Sequence, residues 1–262
     1  MITWSYSKFS TYESCTEKYY RKYVLKERPV ENQRKYLEGS VLQTLFEEYV
    51  NTSVYTKEDK DWLLTNLDRH IDHFFDERKG NVHLKKDEDR AKIKVKIEKY
   101  ISNTYDFFRY KGYKDLLLAS EVDFSPGIRL NDSISIRGSI DFLIRAKDGK
   151  SYDVMDLKTT ASKKYINKDQ ILFYALMVYL HFGTPPKEAY FYNAAKNEII
   201  NVPIASHDVQ DLVDRLKRYT KEIESTKYRE LTKTECWGCA HKELCSEEHE
   251  GDFKNGRASF TR

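Results

Sequence analysis

The stretch SYDVMDLKTT (residues 151–160) places Asp156 and Lys158 two residues apart in a run that otherwise reads as a buried strand. Side chains of a strand alternate between faces, so Asp156 and Lys158 share one face while Met155 and Leu157 share the other. Burying a charge is costly unless it is paired or holds a metal. An acid and a base on one face therefore imply either an ion pair at a sheet edge or a metal site with a basic partner.

Just upstream, ISIRGSIDFLIRA (134–146) has the same two-residue period, and Lys147-Asp148-Gly149-Lys150 supplies an Asp-Gly turn. The two runs read as a hairpin, which can set Asp141 beside Asp156. SEVDFSP (120–126) reads as a further strand. Downstream comes a mostly apolar helix at 168–182, closed by Gly183 and two prolines. AYFYNAAKNEIINVPI (189–204) supplies two more strands. A helix capped by Ser206 follows, with Val209, Leu212, Leu216, Tyr219 and Ile223 on one side.

Toward the N-terminus, Ser5 to about Lys26 reads as one helix capped by Ser5 or Ser7, and a second covers 38–53. Segments 58–79 and 87–111 are amphipathic: Leu63, Leu67, Ile71, Phe74 and Phe75 share one face of the first, and Ile93, Ile97, Tyr100, Ile101, Tyr105 and Phe108 share one face of the second. Their charged outer faces suggest a helical insertion packed on the main body. The order of elements predicts an α/β fold with a mixed central sheet flanked by helices. The expected organisation is a single domain (1–262) with a helical insertion (55–118), a catalytic sheet and helix (119–204) and a cysteine-bearing tail (227–262).

The chain has 262 residues, long enough for a sizeable core. A third of them are charged, yet the net charge is +3, which excludes a highly basic nucleic-acid coat but not a local basic groove. The 20 tyrosines fit either a compositional bias or stacking on bases. The start, MITWSYSKFS, lacks the pattern of a secretory signal, and the longest apolar run, ILFYALMVYL (171–180), is too short to span a membrane. The expectation is a cytoplasmic protein without a membrane partner. In that reducing compartment four cysteines point to metal ligands or reactive thiols rather than disulfides.

Adjacent carboxylates at 141 and 156 raise each other's pKa, and a divalent cation removes the conflict. Mg²⁺ takes one or two carboxylates and keeps several waters, one of which can become a nucleophile. Lys158 would orient that water or stabilise charge on a phosphate. Gln170 and Tyr174, four apart on the following helix, are polar groups in an apolar setting and need partners. His70 and His73 read as solvated helix residues.

Gly138-x-x-Asp141, Asp156-Leu157-Lys158 and Gln170-x-x-x-Tyr174 together resemble the PD-(D/E)xK nuclease superfamily, in its RecB-like branch. The opening SYSKFSTYESCTEKYYRKY (5–23) is similar to that branch's N-terminal pattern, with Thr16 where proline is usual. The resemblance implies a restriction-endonuclease-like core and a Mg²⁺- or Mn²⁺-dependent DNA nuclease, an exonuclease on single strands or ends. It implies metal binding by Asp141, Asp156 and the Leu157 carbonyl, a water-positioning role for Lys158, and DNA-contacting or supporting roles for Gln170 and Tyr174. The branch's early helix carries Gly-x-x-x-His with a metal-binding histidine; here Gly39 is followed by Gln43. An amide oxygen is a weaker ligand, tolerable for Mg²⁺. Either Gln43 serves, Glu47 one turn on is recruited, or the site is weak. The family's acid on the preceding strand corresponds to Glu121, which reads equally well as a solvent-facing side chain.

Cys236-x2-Cys239-x5-Cys245 and the distant Cys15 account for all four cysteines. Thiolates so spaced favour zinc or an iron–sulfur cluster, and three plus one fits the cluster better. The resemblance extends to RecB-like nucleases such as AddB nuclease domains and CRISPR-associated spacer-acquisition exonucleases, and implies a structural 4Fe–4S cluster on Cys15, Cys236, Cys239 and Cys245. Two other readings stand beside the nuclease. One is a catalytically weak or inactive DNA-binding or assembly module, with protein partners in a recombination, replication or transcription complex. The other is a zinc protein with an unrelated hydrolase site.

Overall fold

The computed structural model describes residues 1–51, 59–78, 80–112, 117–160, 166–226 and 239–241. The chain divides into two compact units, Met1–Tyr6 with Asn32–Thr220, and Ser7–Glu31 with Lys221–Arg262. Strand β1 (Ile2–Trp4) opens the chain, followed by helices α1 (Tyr6–Ser14), α2 (Thr16–Tyr19), α3 (Leu37–Asn51), α4 (Asp59–Glu77) and α5 (Arg90–Lys111). Next come β2 (Leu117–Asp123), β3 (Ile128–Arg129), β4 (Ile134–Ile136), β5 (Ser139–Arg145) and β6 (Tyr152–Lys158). Helix α6 (Lys168–Phe182), β7 (Glu188–Asn193), β8 (Glu198–Asn201) and α7 (Ser206–Glu224) complete the order.

A five-stranded sheet runs β2-β5-β6-β7-β8. Only β6 and β7 are parallel, as the intervening helix α6 requires; the other pairs are antiparallel. The β5–β6 hairpin forms at the Asp-Gly turn, where Asp148 Oδ1 accepts from the amides of Lys150 and Ser151, both at 2.9 Å. Gly149 takes the left-handed conformation this turn needs (φ +67°).

The run 134–146, read from its alternation as one strand, is split between two sheets. β4 joins a small mixed sheet in the order β1-β4-β3. The change of partner falls between two residues: Arg137 N still donates to Trp4 O (2.8 Å), whereas Gly138 O accepts from Phe124 N (2.9 Å). The alternation survives the switch, so hydropathy alone does not reveal it.

The N-terminal helix is likewise interrupted. Cys15 is extended (φ −165°), and its Sγ accepts from Lys18 N at 3.3 Å as the cap of α2. A π turn over Tyr20–Val24 then closes the helical segment. Ser206, expected as a cap, is the first helical residue of α7, and Asp208 Oδ2 accepts from Ala205 N instead.

One face of the sheet, with Phe142, Ile144, Met155, Tyr190 and Tyr192, packs on α3, α4 and α5 in a single hydrophobic core. Phe107 of α5 stacks on Tyr192 at 4.2 Å between centroids and 11° between planes. Helices α4 and α5 thus supply a wall of the main core. On α6 every residue from Ile171 to Val178 is buried, as expected of a helix apolar on all sides. Arg215 of α7 pairs with Asp169 at the start of α6.

In the second unit, buried Arg21 pairs with Glu17 (2.9 Å) and Glu27 (3.3 Å). Glu27 Oε2 lies 3.8 Å from Nδ1 of buried His241, and Tyr12 Oη donates to Glu222 Oε2 at 2.7 Å. These contacts join the N-terminal segment to the far end of the chain.

Candidate active site

The registers that build the sheet also align its acids. β5 pairs with β6 through Phe142↔Met155, and one step further sets Asp141 opposite Asp156. β2 pairs with β5 through Ser120↔Phe142 and Val122↔Ile140, which sets Glu121 opposite Asp141. Residues directly opposite on adjacent strands have side chains on one face. Glu121, Asp141 and Asp156 therefore form a row across three neighbouring strands. Lys158 lies two residues beyond Asp156 on the same face, near the point where the parallel strands end.

Helix α6 closes over the row. Gln170 Nε2 donates to Asp156 Oδ1, and Gln170 Oε1 accepts from Lys158 Nζ at 3.0 Å. One turn on, the Tyr174 hydroxyl lies 3.0 Å from Asp141 Oδ1 and 3.1 Å from Asp156 Oδ1. Asp141 Oδ2 accepts from Leu157 N at 2.9 Å. Asp156 Oδ2 makes no hydrogen bond of sound angle; the Lys158 ammonium stands 2.6 Å from it as a counter-charge. The ammonium also faces the Phe191 ring, 5.5 Å from its centre.

Asp141 and Asp156 are 8% and 1% exposed. Burial, then the charges of Asp156 and Glu121, hold the Asp141 carboxyl well above the usual carboxylate range. Burial also raises Asp156, although Lys158 opposes the shift. Burial and the two aspartates push the Tyr174 hydroxyl well above its ordinary value, so it remains a donor. Glu47 on α3 is raised by burial and by Glu121. Three acids in a row against one ammonium leave an excess of negative charge that a divalent cation can balance. Among the described residues no three His, Cys, Asp or Glu side chains form a ready-made cage. Two carboxylates with backbone and water suit Mg²⁺, and buried Asp156 Oδ2 is an acceptor without a hydrogen bond.

The structure thus brings together Asp141, Asp156, Lys158, Gln170 and Tyr174. Gln43 Nε2 donates to Glu121 Oε1, and Ser139 Oγ donates to Glu121 Oε2 at 2.8 Å. Glu121 is therefore held within the site. Sequence reasoning missed Ser139, although it lies two residues before Asp141 and so on the same strand face. His70, read as solvated, is buried: its Nδ1 lies 3.0 Å from Thr44 Oγ1 and its Nε2 3.0 Å from Glu48 Oε2. His73 is exposed. A cavity of about 400 Å³ opens beside Pro186–Ala189 and Asn201–Ile204, at the end of β7 away from the carboxylates, and has no part in this arrangement.

Of the four cysteines, Cys236 and Cys245 lie outside the described residues. Cys15 and Cys239 are half-buried, form no disulfide and fall in the same unit. Cys15 Sγ accepts from the Lys18 backbone amide at the start of α2.

The mixed sheet flanked by helices is consistent with a restriction-endonuclease-like fold. The chain belongs to the PD-(D/E)XK nuclease superfamily, whose family model matches residues 3–246. A solved structure titled "Crystal structure of SSO0001" is similar at 15% identity and a TM-score of 0.35, covering 81% of this chain and 95% of its own. No curated protein matches the chain. Among the described residues no helix is long and apolar enough to cross a membrane.

Proposed function

We propose that this protein is a Mg²⁺- or Mn²⁺-dependent deoxyribonuclease of the RecB-like branch, an exonuclease that hydrolyses phosphodiesters of single-stranded DNA or DNA ends in the cytoplasm. The observation that carries the reading is the row of Glu121, Asp141 and Asp156 across three strands with Lys158 beside it. Asp141, Asp156 and the Leu157 carbonyl would hold the cation. When bound, it would supply the positive charge this row needs and acidify a water. Lys158 spends one of its three N–H donors on Gln170, leaving others for the attacking water or a phosphate oxygen. Gln170 fixes that ammonium and Asp156 together, and Tyr174 spans the two carboxylates. The water gives up a proton to solvent as its oxygen bonds to phosphorus, the phosphodiester P–O bond opposite it breaks, and the leaving alkoxide oxygen takes up a proton from solvent.

End-labelled single- and double-stranded DNA, digested with Mg²⁺ or Mn²⁺, tests this. Wild type should cleave and Lys158→Ala should lose cleavage while melting as a folded protein. Intact DNA with wild type under all conditions would overturn the reading, as would cleavage that survives the substitution.

The tail is proposed to bind a 4Fe–4S cluster through Cys15, Cys236, Cys239 and Cys245. Support comes from the contacts that join the N-terminal segment to the far end of the chain within one unit, which also holds Cys15 and Cys239. A cluster there would tie sequence-distant segments, so its loss should lower the melting temperature. Anaerobically purified protein should contain about four irons and four sulfides per chain, both lost in Cys15→Ser; zinc in their place would refute the cluster.

A further inference from the structure

Helix α3 presents Gly39, Gln43 and Glu47 at intervals of four, along one face. At Gly39 an added Cβ would come 3.5 Å from Thr159 Oγ1, so the helix passes close to the chain just beyond Lys158. One turn on, the Gln43 amide donates to Glu121 Oε1, and Ser139 donates to the other carboxylate oxygen. Both oxygens of Glu121 are thus tied, one from α3 and one from β5. Glu121 also has left-handed backbone (φ +51°), a strained conformation for a residue with a side chain. A glutamate near a sheet edge would ordinarily turn into water. This one is held opposite Asp141, whose acidity its charge lowers.

We infer that Gln43 is a positioning residue rather than a metal ligand: with Ser139 it clamps Glu121 beside Asp141, so that the glutamate's charge stays next to the two carboxylates of the proposed cation site. The inference rests on the proposed cation site. The chemistry of the amide supports it. An imidazole can ligate a metal directly, whereas a glutamine whose nitrogen is donated to a carboxylate steers that carboxylate. The amide also does not titrate, so the clamp keeps its charge state across the physiological range.

Mn²⁺ binding to metal-free protein without DNA, followed by electron paramagnetic resonance, tests this. Gln43→Met keeps the length of the side chain and removes its donor; Ser139→Ala removes the second tie. Each should weaken Mn²⁺ about 10-fold or more, the usual effect of losing a hydrogen bond to a ligating group. Glu121→Gln should weaken it at least as much, and Gln43→Met added to Glu121→Gln should have no further effect. Thermal melts check that each variant is folded; if Gln43→Met does not fold, the pair Ser139→Ala and Glu121→Gln carries the same comparison. Independent, additive losses from Gln43→Met and Glu121→Gln would make Gln43 a ligand in its own right and overturn the inference. Unchanged affinity in Gln43→Met, with binding lost in Asp156→Ala, would overturn it and leave the cation site standing. A wild type that binds no Mn²⁺ would overturn both.

Discussion

Replacing Asp141 with asparagine should make the cation-free protein more stable while removing its function. The Oδ1 atoms of Asp141 and Asp156 lie 3.0 and 3.1 Å from the same hydroxyl, so they are at most about 6 Å apart. Two unit charges at that distance repel by about 3 kcal/mol at an effective dielectric of about 20. Asparagine removes this repulsion and the repulsion from Glu121, at the loss of some attraction to Lys158. It also keeps the local bonds. Its amide oxygen can accept from Leu157 N, and its amide nitrogen can donate to Tyr174, which remains free to donate to Asp156. The net gain is about 1–2 kcal/mol, a rise of about 2–8 °C in Tm for a chain of this size.

The assay is a thermal melt in EDTA at pH 8, repeated at pH 5 and again with Mn²⁺. The raised folded-state pKa of Asp141 sets the sign of the pH effect. Between the ordinary carboxylate value and the raised one, the native state binds a proton that the unfolded chain has released. The Asp141 contribution therefore improves as pH falls through the folded value and worsens as pH rises. Asp156 is shifted in the same direction, so Asp141→Asn should reduce this slope without abolishing it. With Mn²⁺ the ranking should reverse, because wild type gains a ligand that the variant cannot hold as well. A variant that melts below wild type in EDTA at pH 8 would refute the charge-crowding argument.

His70→Gln should cost about 1–3 kcal/mol through loss of its buried contacts with Thr44 and Glu48. Burial lowers the His70 pKa, so its stabilisation is present above the ordinary histidine value and is lost as pH falls through that value toward the depressed one; the substitution should remove this loss, read from paired melts at pH 7.5 and 5. Phe107→Ala should cost about 3–5 kcal/mol by emptying the stack on Tyr192, measured by urea unfolding, and a loss under 1 kcal/mol would mean that α5 is not a wall of the core.

Much of the fold was legible because its signals are local. The Asp-Gly turn, the apolar stretch 171–178 and the glycine at 183 each fix an element through a few adjacent residues. The limits of α6 were readable for that reason: Asn167 caps its start and Gly183, at φ +77°, ends it. Where the expectation failed, the decisive interaction was remote in sequence. The strand at 134–146 divides because residues before Gly138 pair with β1, more than a hundred positions away. His70 looked solvated because its partners, Thr44 and Glu48, belong to another helix.

The candidate site repeats this contrast and shows what it means for function. Asp156 and Lys158 are bound to a common face by the geometry of one strand, and a hairpin turn brings Asp141 alongside. Glu121 has no such local argument: its role depends on Gln43, 78 positions earlier, and on Ser139, 18 positions later. Nothing in the neighbourhood of Gln43 distinguishes a decayed ligand from a clamp, since both readings need a polar side chain at that point of a helix. The hydrogen bond to Glu121 separates them. A decayed site would free the amide and let the glutamate turn outward, relieving the crowding around Asp141. Instead the chain holds a third negative charge in place, through a strained backbone and two side chains, where it makes the cation-free site less stable. A cation at the proposed site would offset that crowding, which gives the clamp a purpose that a decayed ligand position would lack.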